Sequence, residues 1–329
     1  MARAHQQRKL DAASATILAR DIPCQAKPNL FIVGAPKCGT TAWVHYLSSH
    51  PDIFFPLVKE PQYFSPDMPK PQGFNNLPTE AAYLSLFARS GHAKIIGEAS
   101  VRYLQSVEAA KNIRRFNPDA KIIIFIRDQQ DCLPSLHNQS VFNKEECITD
   151  FEAAWRLSGR RDETNTSPFC RDPKLLDYVE AGTFSPQIER YFDQFPNDQI
   201  RVFHFRDWSL DPRATYLEIL RFLDVPDDGR SEFPQINASK HRRTKWLWKL
   251  HKQPPAAARR AALLIKRVTG LHTLRVGHFI GWLDSKQGGQ TPPSEALRKE
   301  IAAHFEADNE RLDPRICHPR IASGERKKA

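Results

Sequence analysis

Apolar residues in this chain come as short unbroken runs, separated by stretches in which they recur at helical spacing. The first run, Asn29-Leu30-Phe31-Ile32-Val33-Gly34, has no polar alternation and stops on glycine, the pattern of a parallel strand buried on both faces. Similar runs are Ile53-Phe54-Phe55, 94–97, 121–126 and 200–205. Residues 41–47, about 79–89, 106–116, 129–139 and 184–195 read as helices, as does 212–223, where Tyr216, Ile219, Leu220 and Leu223 share one face. Apolar strands alternating with amphipathic helices predict an α/β fold of three layers, a central parallel sheet flanked by helices. Residues 143–172 break the pattern and read as a polar insertion or lid. The organisation expected is a flexible tail over 1–28, an α/β core over 29–235 and a mainly helical extension over 236–329, broken at Pro254-Pro255 and Pro292-Pro293.

Composition narrows the classes. No apolar run approaches the roughly 20 residues needed to cross a bilayer, which argues against an integral membrane protein. The first 23 residues are polar and lack the apolar stretch of a secretory signal. The 6 cysteines form no C-x-x-C pair, so neither a disulfide framework nor a metal site is expected; reduced thiols in the cytoplasm fit better. The net charge of +10 is local. Between Phe233 and Leu283 lie eleven basic residues, from Lys240 to Arg275, and no acidic ones, so the remainder is close to neutral. That disfavours a nucleic-acid binder and favours one anion-facing surface. Residues 254–283, basic and amphipathic, suit peripheral contact with an anionic inner membrane surface or a polyanionic acceptor, or a helix that merely turns its cationic face to water.

The most informative loop is Gly34-Ala35-Pro36-Lys37-Cys38-Gly39-Thr40-Thr41, between the first strand and the first helix. Its backbone N–H groups and the following helix N-terminus would cradle an anion. It departs from the nucleotide-triphosphatase loop G-x-x-x-x-G-K-[ST]: Thr40 stands where the lysine belongs, and the lysine is Lys37. The string P-K-x-G-T-T resembles the sulfotransferases that use 3′-phosphoadenosine 5′-phosphosulfate (PAPS). The resemblance implies that Lys37, Cys38, Gly39, Thr40 and Thr41 surround the 5′-phosphosulfate. A second element agrees: Arg127 follows the strand 121–126, and Ser135 lies eight residues on. In the family this arginine and serine grip the 3′-phosphate; the alternative for Arg127 is pairing with Asp128 or Asp131.

The segment Lys59-Glu60-Pro61-Gln62-Tyr63-Phe64 resembles the K-E-x-x-[YF]-F element of the carbohydrate-type and bacterial branch, near the heparan sulfate sulfotransferases, whose glutamate is the base. That role passes to Glu60, and Pro61 is expected to hold its backbone extended. His137 is a second candidate near the acceptor. The stretch 97–104 resembles G-E-x-[ST]-P-x-Y, with Ala99 and Val101 departing, and suggests Arg102 and Tyr103 on the acceptor side. Lys240, Arg242 and Arg243 would close over the nucleotide's 3′-phosphate. The resemblance thus implies metal-free, in-line transfer of a sulfuryl group from PAPS to a hydroxyl or amine, of a carbohydrate or glycoconjugate. The other readings are a P-loop kinase or NTPase, and a non-catalytic anion- or membrane-binding protein acting through 240–282.

Overall fold

A computed structural model describes residues 26–69, 77, 79–162, 164–236, 240–242, 285–287 and 292–317. Five strands, β1 (Leu30–Gly34), β2 (Ile53–Phe54), β3 (Ile95–Ala99), β4 (Lys121–Ile126) and β5 (Ile200–His204), form one sheet in the order β2-β3-β1-β4-β5. Every pairing in it is parallel. All residues of β1 and β3 are buried. Alternate side chains point to opposite faces, so complete burial requires cover on both sides, the three layers that the unbroken apolar runs predict. Trp43, from the helix Thr40–Leu47, stacks on Phe125 of β4 with ring centres 5.4 Å apart.

Strand order positions the site. The chain leaves β1 for β2 and β3 on one side, and leaves β4 for β5 on the other. The loops at the carboxyl ends of β1 and β4 therefore diverge and open a crevice, where ligands bind in open parallel sheets. Gly34 ends β1 because no larger residue fits: a Cβ there would lie 2.6 Å from the Leu104 Cβ.

The core extends beyond the boundary expected at 235. The helices Glu295–His304 and Glu306–Leu312 and the residue between them bury Leu297, Ile301, Phe305 and Leu312 in it. Asp308 accepts the N–H groups of Phe184 (2.8 Å) and Ser185 (3.1 Å), stabilising the start of the helix Phe184–Phe192 from a distant part of the chain. Ile316 bridges to Val202 in parallel, and the Cys317 N–H donates to the Val202 carbonyl at 2.7 Å, prolonging the sheet past β5. At the other end the expected tail is already anchored by 27–28. Lys27 lies over the Phe116 ring, and the Pro28 carbonyl accepts from Asn117 Nδ2 at 3.0 Å. Within the extension, expected to be mainly helical, β6 (Lys240–Arg242) pairs antiparallel with β7 (Ser285–Gln287). Arg243 and 254–283, like residues 1–25, lie outside the described residues.

The 143–172 insertion is packed rather than loose. Arg161 and Glu146 form a buried ion pair (2.6 Å) with side chains only 2% and 0% exposed. Tyr178 donates to the same carboxylate at 3.1 Å.

Candidate active site

The loop after β1 is built as an anion cradle. Gly39 has φ of 90° and precedes a helix with no side-chain cap and no acidic residue in its first turn. The N–H groups of Gly39, Thr40 and Thr41 find no backbone partner among the described residues. Such N–H groups at a helix start carry partial positive charge and are available to an anion. Cys38 is fully buried, its thiol donating to the Pro36 carbonyl at 3.4 Å, and burial pushes its pKa up. Lys37, itself at φ of 67°, sends its ammonium to Gln139 Oε1 at 2.9 Å. Burial first, then the charges of Lys59 and Arg127, lower the Lys37 pKa; Glu60 acts the other way. Lys37 thus lies within electrostatic reach of two further cations and of one carboxylate, Glu60.

Arg127 sits at the exit of β4, its guanidinium stacked 4.4 Å over the Phe205 ring. Neither alternative partner occupies it. Asp128 lies 3.5 Å from His204 Nε2, whose hydrogen bond holds the carboxyl below its usual range, and Asp131 pairs with Arg298 at 2.9 Å. Arg127 makes no ion pair among the described residues, and its buried Nε has no partner. Ser135 lies on the helix Gln129–Asn143, one turn before Gln139 and on the same face. The Lys37–Gln139 bond therefore draws that face toward the donor loop.

Glu60 lies between β2 and β3, its N–H bonded to the Ala99 carbonyl at 3.1 Å. Its φ is 57°, so the extended backbone expected from Pro61 is not adopted; the anchor at Ala99 and the turn through Gln62 (φ 51°) override the local preference. Lys59 bonds Thr41 Oγ1 and lies 3.4 Å from the Glu60 carboxylate, linking the donor loop to the candidate base. Arg102 makes no ion pair or side-chain hydrogen bond among the described residues. Burial lowers its pKa, with Arg171 adding to that shift and Glu145 and Glu60 opposing it. Arg171 in turn pairs with Glu145 (2.5 Å) and donates to the Pro69 carbonyl (3.2 Å), so the insertion walls this side.

Two acceptor-side expectations are corrected. Tyr103 is fully buried, its hydroxyl directed to Glu98 at 2.9 Å, where no acceptor can touch it. His137 is equally buried and bonds the Ile148 carbonyl at 2.9 Å, bracing the insertion; burial lowers its pKa. The side chains of Lys240 and Arg242, with Arg243, lie outside the described residues.

A model of the sulfotransferase domain matches residues 27–247. The chain belongs to the sulfotransferase domain family. A membrane-associated sulfotransferase of Dictyostelium discoideum is 30% identical, over 67% of this chain and 62% of that protein. The bifunctional heparan sulfate N-deacetylase/N-sulfotransferase 4 of Mus musculus is 26% identical, over 64% of this chain and 24% of that protein. The chain thus spans between about a quarter and three fifths of the length of these relatives. Among solved structures, a sulfotransferase from Alicyclobacillus acidocaldarius is 30% identical with a TM-score of 0.55, covering 72% of this chain and 96% of that one.

In this sulfotransferase domain the described residues fit a donor carrying two phosphate groups. The open N–H groups of 39–41 suit one anion, and the orphaned Nε of Arg127 points to a second. Lys59, Gln139, Phe205 and Trp208, whose indole closes on Gly39, are site residues that the sequence reading does not single out. Lys59 was within reach, being part of the same K-E-x-x-[YF]-F string. Gln139 and the two aromatics carried no signal, because their roles depend on contacts between distant segments.

Proposed function

We propose that this domain moves a sulfuryl group from PAPS to a hydroxyl or amine of a carbohydrate or glycoconjugate acceptor, with Glu60 as the base. The observation that carries the reading is the convergence of Lys37, Lys59 and Arg127 with one carboxylate, Glu60, at the exits of β1 and β4. The heparan sulfate relatives support the acceptor class.

The bound donor supplies an activated sulfuryl group on a phosphate leaving group. The N–H groups of Gly39, Thr40 and Thr41, with the two threonine hydroxyls, hold its 5′ end. Arg127 and Ser135 hold its 3′-phosphate, with Lys240, Arg242 and Arg243 closing over it. Lys37 sits where negative charge collects as the old S–O bond breaks, and its partial desolvation strengthens that hold. Glu60 takes the acceptor's proton as the new S–O bond forms. As in phosphoryl transfer, most of the catalysis is positioning and charge stabilisation. A cytoplasmic location, with residues 254–283 against an anionic inner leaflet, is part of the same proposal and is supported by the charge of that segment.

The test is a thermal-shift titration with 3′-phosphoadenosine 5′-phosphate beside ADP and ATP·Mg²⁺, on wild type and Arg127→Ala. A ligand that binds the folded state raises the melting temperature whether or not the acceptor is known. Stabilisation confined to the 3′-phosphorylated nucleotide and lost in Arg127→Ala is expected. Stabilisation by ATP·Mg²⁺ alone, or by none of the three, would overturn the donor assignment.

A further inference from the structure

The stretch that carries Glu60 is held in an unusual conformation. Glu60 and Gln62 both have left-handed backbones (φ 57° and 51°), which non-glycine residues adopt only where their surroundings impose them. Three main-chain N–H groups anchor the stretch to the exit of β3. Glu60 donates to the Ala99 carbonyl (3.1 Å), Gln62 to Ser100 Oγ (3.1 Å) and Phe64 to the Tyr103 phenol oxygen (3.2 Å).

The third anchor leads inward. Having accepted from Phe64, the Tyr103 hydroxyl donates to Glu98 Oε2 at 2.9 Å. Tyr83, from the helix Glu80–Leu84, donates to the same oxygen at 3.0 Å. Glu98 is 1% exposed, and its second oxygen has no partner among the described residues. A buried carboxyl with an unsatisfied oxygen is costly, and nothing in the packing of β3 against β1 requires it: an apolar residue would serve opposite Phe31. What the carboxyl supplies is an acceptor that orients Tyr103 so that its lone pair meets Phe64.

We propose that Glu98 is a positioning residue of this site: its carboxyl fixes Tyr103, which with Ser100 holds residues 60–64 so that the Glu60 carboxylate faces the donor loop. The inference rests on the reading of Glu60 as base. It also gives the site a titrating partner. Burial pushes the Glu98 carboxyl up to about 7, with the Glu60 charge adding to the shift and the Ser100, Tyr103 and Tyr83 hydroxyls opposing it. The groups that face it are Glu60 from the loop, Tyr83 from its helix, Ser100 and Tyr103 from the end of β3, and Tyr191 from the helix Phe184–Phe192. An ionised carboxylate accepts more strongly than a protonated carboxyl, so the hold on the Tyr103 and Tyr83 hydroxyls, and through Tyr103 on Phe64, tightens as Glu98 loses its proton.

The test compares wild type with Tyr103→Phe, Glu98→Leu, Glu98→Gln and Glu60→Gln. It uses hydrogen–deuterium exchange of the amides at 60–64 and release of 3′-phosphoadenosine 5′-phosphate from PAPS between pH 5.5 and 8.5. Tyr103→Phe and Glu98→Leu are expected to speed exchange at Gln62 and Phe64 at least about tenfold and to slow turnover by about 10²-fold, the scale of a misplaced catalytic group. Stabilisation by 3′-phosphoadenosine 5′-phosphate should stay unchanged, since the donor loop is untouched. Glu98→Gln, whose amide oxygen can still accept from both phenols, should recover most of the turnover while losing the rise in rate near pH 7. If Glu98→Leu does not fold, the Glu98→Gln pH profile and the Tyr103→Phe exchange decide. Wild-type exchange at 60–64 in Tyr103→Phe, or an unchanged pH profile in Glu98→Gln, overturns the positioning role. A fully active Glu60→Gln overturns the base assignment instead, even where the exchange results are as expected.

Discussion

Alanine at Gly39 probes the donor cradle at its tightest point. Gly39 adopts φ of 90°, and an added Cβ would stand 2.3 Å from Trp208 Cζ2 and 3.0 Å from Cη2. Two separable energies follow. Holding a residue with a Cβ in the left-handed region costs about 1–2 kcal/mol. Forcing a methyl group into a packed ring costs a further ~1–3 kcal/mol. Trp208 has little room to retreat, being 8% exposed and set edge-on to Trp43 (5.7 Å) and Phe205 (4.5 Å). The total of about 2–5 kcal/mol appears either as lost stability or, if the loop swings away from the indole, as donor affinity weakened by up to about 10³-fold, at roughly 1.4 kcal/mol per factor of ten. Trp208→Phe withdraws the outer ring atoms, so the double variant regains the steric part and not the backbone part. Urea unfolding midpoints and a thermal titration with 3′-phosphoadenosine 5′-phosphate, run on all four proteins, give the coupling directly. A coupling of ~1–3 kcal/mol is expected. Strict additivity, or a Gly39→Ala variant equal to wild type in both measurements, would refute the account of the loop.

Two further outcomes follow from the buried charges. Glu146→Ala leaves the Arg161 guanidinium buried without its partner and should lower stability by about 3–5 kcal/mol in urea unfolding, whereas Glu146→Leu with Arg161→Met should recover most of that loss; a single variant as stable as wild type would mean that the pair is solvated. Glu98 binds its proton more tightly in the folded state than in the unfolded one, so it destabilises the fold as pH rises from about 4.5 to about 7. Relative to Glu98→Gln, wild type should therefore lose roughly 3 kcal/mol across that window, read as a melting-temperature difference that grows with pH, and a constant difference would contradict the assignment.

The parts legible in the sequence are those set by neighbours along the chain. The apolar runs gave the strands to within a residue or two, because a strand covered on both faces needs no polar alternation. The Pro36-to-Thr41 string and the Arg127/Ser135 spacing mark a strand-to-helix loop after β1 and a strand-to-helix turn after β4, since each is a local feature of the chain at a strand end. What failed depends on distant contacts. Pro61 argued for an extended Glu60, but hydrogen bonds to β3 outweigh that local preference. Tyr103 and His137 look like surface candidates in sequence, and only the fold buries them. Pro134 lies inside a helix and leaves the Gln130 carbonyl without its usual N–H. Arg298 supplies the missing donor at 3.2 Å from 168 residues away, which is one reason the C-terminal helices belong to the core.

The same long-range pairings explain why the crevice stays cationic. The acids nearest Arg127 along the chain would neutralise it if the fold allowed, yet Asp128 faces His204 and Asp131 faces Arg298. Gln139, a neutral acceptor, holds Lys37 where a carboxylate would have formed an ion pair. Glu60 is the carboxylate that acts on Lys37, and Lys59 ties it to the loop after β1 through Thr41. The lowered Lys37 pKa is the electrostatic mark of that imbalance: burial and like charges disfavour its proton, and no local anion makes up the difference. An arrangement of this kind is a cost to the free protein and becomes favourable when a multiply charged anion enters. On the proposed reading, that anion is the donor, drawn by charge that the described acids leave largely unmatched.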